Sequence, residues 1–407
     1  MIFPTNVVEL CQALVQIPSV NPHGDPGTDG TGEARIATWL QQYLESLGAV
    51  VQIRESLPER PNVVAHWPGS PSGKPRILFA PHTDTVSVSG MEIDPFGGVI
   101  KDGRIWGRGA SDTKGSMASM LWALREMKDE LSSLPYEIWF AGLAGEEAGQ
   151  HGANALAAEE DFAFVIAGEP TGLDVVHTHK GCTQLRLVVH GRASHSARPE
   201  LGENAIYKMA DVARYIRDVL ARELSQPKDR ILGGASISVG TIAGGSKTNI
   251  VPDRCEATVD IRTIPDQNSP GFLPHIRRRL LGVCPDLEIE FGQSPPLYTD
   301  PAHPLIGVLN LLGAKCIGAP WFCDAAVFAA RGIPSIALGP GSISQAHTAD
   351  EWIDIADLEA AVAFFKRFLA SLPAPGAAES TGPSDRGSGI RAGSAWLTGA
   401  KNPNVAS

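Results

Sequence analysis

The chain has 407 residues, 43% of them apolar and 19% charged, with a formal net charge of -11. That length exceeds what one hydrophobic core usually supports, so two domains are expected. The acidic balance argues against a nucleic-acid partner, and no apolar run reaches the roughly 18–20 residues that cross a bilayer. The opening Met1–Asn6 stretch carries no basic region followed by an apolar one, and the six scattered cysteines include no C-x-x-C pair. Both features point to a cytoplasmic protein with reduced thiols.

In chain order, Glu33 to Leu47 puts Ile36, Leu40, Leu44 and Leu47 on one helical stripe, and Gly48 stops it. Arg76 to Ala80 reads as a buried strand that delivers His82 at its C-terminal end. Ser111 to Leu131 reads as a helix, Tyr136 to Gly142 and Phe162 to Ala167 as further buried strands. Strands alternating with helices imply an α/β, mostly parallel sheet, whose ligands sit beyond the strand C-terminal ends. His82, Glu146 and Glu169 all fall there.

The rhythm then changes. Thr183 to His190 alternates as a half-exposed strand, and Asn204 to Leu224 is a long amphipathic helix. Strands at Ala235 to Ile242 and Cys255 to Thr263, a basic helix at Gly271 to Leu281 and a strand at Asp286 to Phe291 complete a β-α-β-β-α-β, ferredoxin-like order. This unit reads as inserted, because the first pattern resumes from Ala302 to Leu372, with Pro295-Pro296 as a hinge on the return. The expected division is a catalytic domain over 1–182 and 295–373, an inserted domain over 183–294, and a tail over 374–407 too poor in large apolar residues to order. No internal repeat is visible.

Five segments concentrate potential metal ligands: Pro81-His82-Thr83-Asp84-Thr85, Gly107 to Gly115 with Asp112, Ala144-Gly145-Glu146-Glu147-Ala148-Gly149, Gly168-Glu169-Pro170-Thr171 and Gly339 to His347. Each has an ordinary reading: a strand-end histidine, an acidic helix start, a turn-forming aspartate. Adjacent acids directly after a buried strand, however, need a cation to offset their desolvation. Histidine and carboxylate donors without thiolate suit catalytic zinc, cobalt or manganese.

Taken in order from about Val7 to Leu372, these segments resemble the family of dizinc aminoacylases, acetylornithine deacetylases, succinyl-diaminopimelate desuccinylases and glutamate carboxypeptidases. The resemblance implies an amide hydrolase with two divalent ions per subunit, zinc first and cobalt or manganese as alternatives. His82 and Glu169 would serve one ion, Glu147 and His347 the other, and Asp112 both, with a cis peptide between Asp112 and Thr113. Asp84 would stand behind His82 and fix its tautomer. Glu146 would be the general base. The inserted domain would act as a lid and dimerisation unit. Its His195, in Gly191-Arg192-Ala193-Ser194-His195-Ser196, would reach the partner subunit's site and stabilise the oxyanion. Asn249 and Arg262 would contact substrate, unless Arg262 merely pairs with Asp260 or Asp266. Glu169 in place of aspartate resembles members that cleave N-acyl amino acids. His179-Lys180-Gly181 lacks the paired arginines of the desuccinylases, and Gly339 to His347 with Asp350-Glu351 is closest to acetylornithine deacetylases. A small N-acyl amino acid substrate and a homodimer are therefore expected. A desuccinylase, a carboxypeptidase-like peptidase, a one-metal hydrolase and a non-catalytic metal-stabilised binding protein are the alternatives.

Overall fold

Four short strands with apolar residues on both faces form the centre of the molecule. The computed structural model describes residues 3–23, 30–68 and 73–376; the expected tail beyond 376, including Trp396, lies outside the described residues. The central strands run parallel in the order Glu137–Gly142, Arg76–Ala80, Phe164–Ala167, Ser335–Ala337. Successive side chains alternate between faces, and both faces are covered, which is why these strands read as continuous apolar runs. Ile77 and Phe79 join the core made with the helices Val7–Val15, Ala34–Ser46, Lys114–Glu126 and Ile355–Ala370. Leu78 and Ala80 face the helices His151–Glu159 and Ala325–Ala329.

Antiparallel strands extend the sheet at both sides. The hairpin Val50–Leu57 and Arg60–Trp67 adds to Glu137–Gly142, and Val175–His179 pairs antiparallel with Ser335–Ala337. In the parallel centre the register sets Ala80, Ala167 and Ala337 side by side, and His82 bridges to Leu143. The loops that follow these strands therefore open at one common edge.

The inserted unit has its own sheet and its own core. Its strands run Ser236–Gly244, Arg254–Thr263, Gly181–His190, Glu288–Ser294, all antiparallel. In chain order this is the 4-1-3-2 arrangement, read from the other edge, that the β-α-β-β-α-β pattern implies. One face packs Leu185, Leu187, Val189, Val259 and Ile261 against helical residues Met209, Val212, Ile216, Ile276 and Leu280. The other face is polar, with Arg186 bridging Glu256 and Glu290. The chain leaves the large sheet after His179 and returns at Leu297, which pairs with His179. Entry and exit thus lie next to each other, and Pro295-Pro296 falls in the return crossing.

Several element boundaries differ from expectation by a few residues. The helix expected from Ser111 begins at Lys114, because the amides of Ser111 and Asp112 are bonded to a side chain elsewhere. The strand expected from Phe162 begins at Phe164. Among the described residues no helix is long and apolar enough to cross a membrane, and the six cysteines form no disulfide.

Candidate metal centre

Each parallel strand ends in a loop that carries a candidate ligand. Arg76–Ala80 delivers His82, Glu137–Gly142 delivers Glu146 and Glu147, Phe164–Ala167 delivers Glu169, and Ser335–Ala337 leads to His347. Asp112 enters from the turn before the Lys114–Glu126 helix and is joined to Thr113 by a cis peptide. The Thr113 hydroxyl donates to the carbonyl of Gly168, tying this turn to the loop of Glu169. Gly339 is glycine because a Cβ there would lie 2.6 Å from the Glu169 carbonyl and 2.2 Å from Ser116 Oγ.

Two groups of donor atoms result. His82, Asp112 and Glu169 form one; Asp112, Glu147 and His347 form the other; within each group the ligand atoms lie within 4.8 Å of one another. Asp112 belongs to both. His82 Nε2 is 3.0 Å from Asp112 Oδ1, and His347 Nε2 is 3.4 Å from Asp112 Oδ2 and 3.2 Å from Glu147 Oε2. Glu146 is 8% exposed and lies outside both groups.

The charge state of this cluster fits divalent cations. Burial pushes the carboxyls of Glu146 and Glu169 well above the usual range, and neighbouring carboxylates add to the effect. Glu147 is raised for the same reason. Hydrogen bonds to Asp112 and Glu147 carry His347 up to about 10. Burial opposes the charge on Asp112, yet hydrogen bonds from His347 and His82 outweigh it and hold its carboxyl below the usual range. Carboxylates crowded at this depth need positive charge, and two imidazoles with three carboxylates are donors suited to zinc, cobalt or manganese.

Asp84 meets His82 through both its main chain and its carboxylate. The His82 ring donates from Nδ1 to the main-chain oxygen of Asp84 at 2.9 Å, while the carboxylate stands 3.6 Å away. That main-chain bond leaves Nε2 turned to Asp112. The carboxylate also accepts the amides of Gly145 and Glu146 at 3.0 Å, Glu147 at 3.1 Å and the Asn21 side chain at 2.8 Å. It fixes the loop that holds Glu146 and Glu147. Asn62 closes the same loop, accepting from Ala144 and donating to Gly152.

Two further carboxylates were not singled out for the site by sequence reasoning. Asp324, at the start of the Ala325–Ala329 helix, is 1% exposed, and neither oxygen has a hydrogen-bond partner among the described residues. Burial pushes its carboxyl up to about 7 against the pull of His82. No sequence signal marks it. Glu351, fully buried, binds the turn of Asp112; its only signal was its place four residues after His347.

In the inserted domain, His195 and Asn249 lie on adjacent segments, and Arg262 stands elsewhere on its sheet. His195 is exposed and bridges to Ile250, Ser196 donates to the Asn249 carbonyl, and Asn249 is also exposed. Among the described residues no hydrogen bond or ion pair links either to the candidate ligands. Arg262 donates to Asp260 at 2.8 Å and stands 5.6 Å over the Phe322 ring of the other unit.

The model of peptidase family M20/M25/M40 matches residues 78–371. An acetylornithine deacetylase of Proteus mirabilis is 32% identical over 369 residues, covering 86% of this chain and 93% of that protein. One of Yersinia pestis is 32% identical over 372 residues, covering 86% and 94%. Among solved structures, an M20 family metallo-carboxypeptidase of Sulfolobus solfataricus superposes with a TM-score of 0.72 at 20% identity, covering 90% of this chain and 99% of that one. A dinuclear metal binding peptidase of the M20 family from Bacillus subtilis gives 0.61 at 16% identity, covering 89% and 96%. With the family match spanning most of the chain and the candidate ligands gathered at its sheet edge, the chain belongs to peptidase family M20/M25/M40 and is a metal amidohydrolase.

Proposed function

We propose that the chain hydrolyses the amide bond of a small N-acyl amino acid, in the manner of an acetylornithine deacetylase. The observation that carries the mechanism is the pair of donor groups sharing Asp112, with the buried carboxylate of Glu146 beside them and in neither. Two divalent ions, one held by His82, Asp112 and Glu169 and one by Asp112, Glu147 and His347, would polarise the scissile carbonyl and lower the pKa of the attacking water.

Glu146 takes the water's proton and passes it to the leaving amine. Asp84 and Asn62 fix the backbone on which Glu146 turns. Their bonds place the base without drawing on its own carboxylate.

The inserted domain supplies the remaining groups in this reading. His195 and Asn249, exposed on adjacent segments, suit the site of a second copy in a homodimer, where His195 would donate to the developing oxyanion. Arg262 suits a substrate carboxylate, which would compete with Asp260 for its guanidinium. Curated relatives at 32% identity named acetylornithine deacetylase support the acetyl group and a diamino acid.

A hydrolysis panel of N-acetyl, N-succinyl and N-glutamyl amino acids, run with added zinc, cobalt and manganese, tests the reading. N-acetyl substrates should be cleaved fastest, chelation should abolish turnover, and about two ions per chain should accompany full activity. Succinyl or peptide substrates cleaved in preference would give the reading to the desuccinylase or carboxypeptidase alternative. Undiminished activity in prolonged chelator, with no metal on elemental analysis, would remove the mechanism altogether.

A further inference from the structure

Glu351 lies 239 residues from Asp112 in sequence, yet its carboxylate is the hub of the Asp112 turn. One oxygen, Oε2, accepts from Arg108 Nη1 at 2.7 Å and from the amide of Gly109 at 3.1 Å. The other, Oε1, accepts the amides of Ser111 at 2.9 Å and Asp112 at 3.0 Å. Its main-chain carbonyl also takes the amide of Gly107. The carboxylate is fully buried, so these donors replace water around its charge. The Gly107–Asp112 turn is in effect wrapped around one side chain.

We propose that Glu351 is a positioning residue that sets the affinity of the second metal site. Asp112 is the donor common to both groups, and its amide hangs directly on Glu351. His347, the other donor from this region, is four residues upstream on the same segment. The carboxylate and the carbonyl of Glu351 therefore tie the segment that carries His347 to the turn that carries Asp112, two of the three donors of the Asp112, Glu147 and His347 group. In the His82, Asp112 and Glu169 group Glu351 touches only Asp112. Losing it should weaken the second ion more than the first. Replacing such an outer partner typically costs about 10–100-fold in metal affinity, and Gln would also turn an NH2 group against main-chain donors.

The competing account is that Glu351 only pairs with Arg108 and stabilises the fold. The two accounts separate experimentally, on the two-ion reading above. Metal-free parent, Glu351→Gln and Arg108→Met are titrated with cobalt(II), followed by visible absorption and by bound metal after dialysis. The parent should take up two ions. Glu351→Gln should lose the second by about 10–100-fold in affinity. Arg108→Met removes the ion pair but leaves three amide bonds, so it should melt earlier and still bind both ions as the parent does. Equal affinities in parent and Glu351→Gln overturn the proposal, as does an Arg108→Met variant that loses the second ion equally. A parent that binds no ion overturns the two-ion reading itself, and this inference with it. Should Glu351→Gln fail to fold, amide hydrogen exchange on the metal-free parent decides. The amides of Gly109, Ser111 and Asp112 should be protected although they lie in a turn; exchange at free-chain rates overturns the clamp.

Discussion

Replacing Asp84 by Asn would separate two jobs that one residue could do in this site. The carboxylate accepts four hydrogen bonds: two on Oδ1, from Gly145 and Glu146, and two on Oδ2, from Glu147 and Asn21. An amide has only one oxygen. Whichever way it turns, its NH2 faces two donors, so two bonds to a charged acceptor are lost. At about 1.5–3 kcal/mol each, holding the Gly145–Glu147 loop becomes about 3–6 kcal/mol less favourable. The hydrogen bond from His82 to the Asp84 main chain is kept, and only the longer 3.6 Å contact of its ring with the carboxylate loses its charge. Asp84→Asn should therefore lower turnover and weaken the ion of the Glu147 group, by about 10–100-fold in affinity, while the His82 group still binds. Cobalt titration resolves this when the spectrum is compared with those of Glu147→Gln and Glu169→Gln, each lacking one ligand. Unchanged metal affinity and melting temperature would refute the loop clamp. Selective loss of the His82-group ion would instead assign the carboxylate to the histidine.

Other substitutions probe the remaining roles. Glu146→Gln should keep both ions and lose about 10²–10⁴-fold in rate, whereas Glu147→Gln should lose one ion; near-normal turnover of Glu146→Gln would reverse the assignment. Asp324 holds its proton up to about pH 7 in the folded chain, while the unfolded chain releases it near pH 4, so stability falls as pH rises through that window. Asp324→Asn should therefore stabilise the metal-free protein more at pH 8 than at about pH 5.5, by about 2 kcal/mol, and equal stabilisation at the two values would contradict it. If His195 acts across a dimer, His195→Ala should cost about 10²–10³-fold. Mixing it with Glu146→Gln should restore about a quarter of parent activity, since random pairing makes about half the dimers mixed with one intact site each. No recovery after confirmed subunit exchange would confine His195 to its own chain.

Part of this molecule is written locally in its sequence. Arg76–Ala80, Glu137–Gly142 and Phe164–Ala167 announce themselves because strands covered on both faces must be apolar at every position. Their ends announce polar residues that such a run would not otherwise tolerate, and His82, Glu146, Glu147 and Glu169 follow from that. The inserted unit was equally legible, since its period changes from continuous to alternating where one sheet face turns polar. The hairpin Val50–Trp67 was not read, because its outer strand, VVQIRESL, lies at the sheet edge and is mostly exposed or half-buried.

What only the tertiary structure decided is which distant groups satisfy one another. Periodicity records which face of an element is buried, not which loop a buried carboxylate will meet. Asp84 looks in sequence like a partner for its neighbour His82, and its carboxylate also holds amides 61 to 63 residues away, which nothing local shows. Glu351 looks like one acid after a histidine, and becomes the anchor of a turn 239 residues upstream. The register that aligns Ala80, Ala167 and Ala337 brings the donor loops to one edge. A buried charge must find donors or cations wherever the fold places them, so its chemistry is fixed by packing across the sheet rather than by its neighbours along the chain.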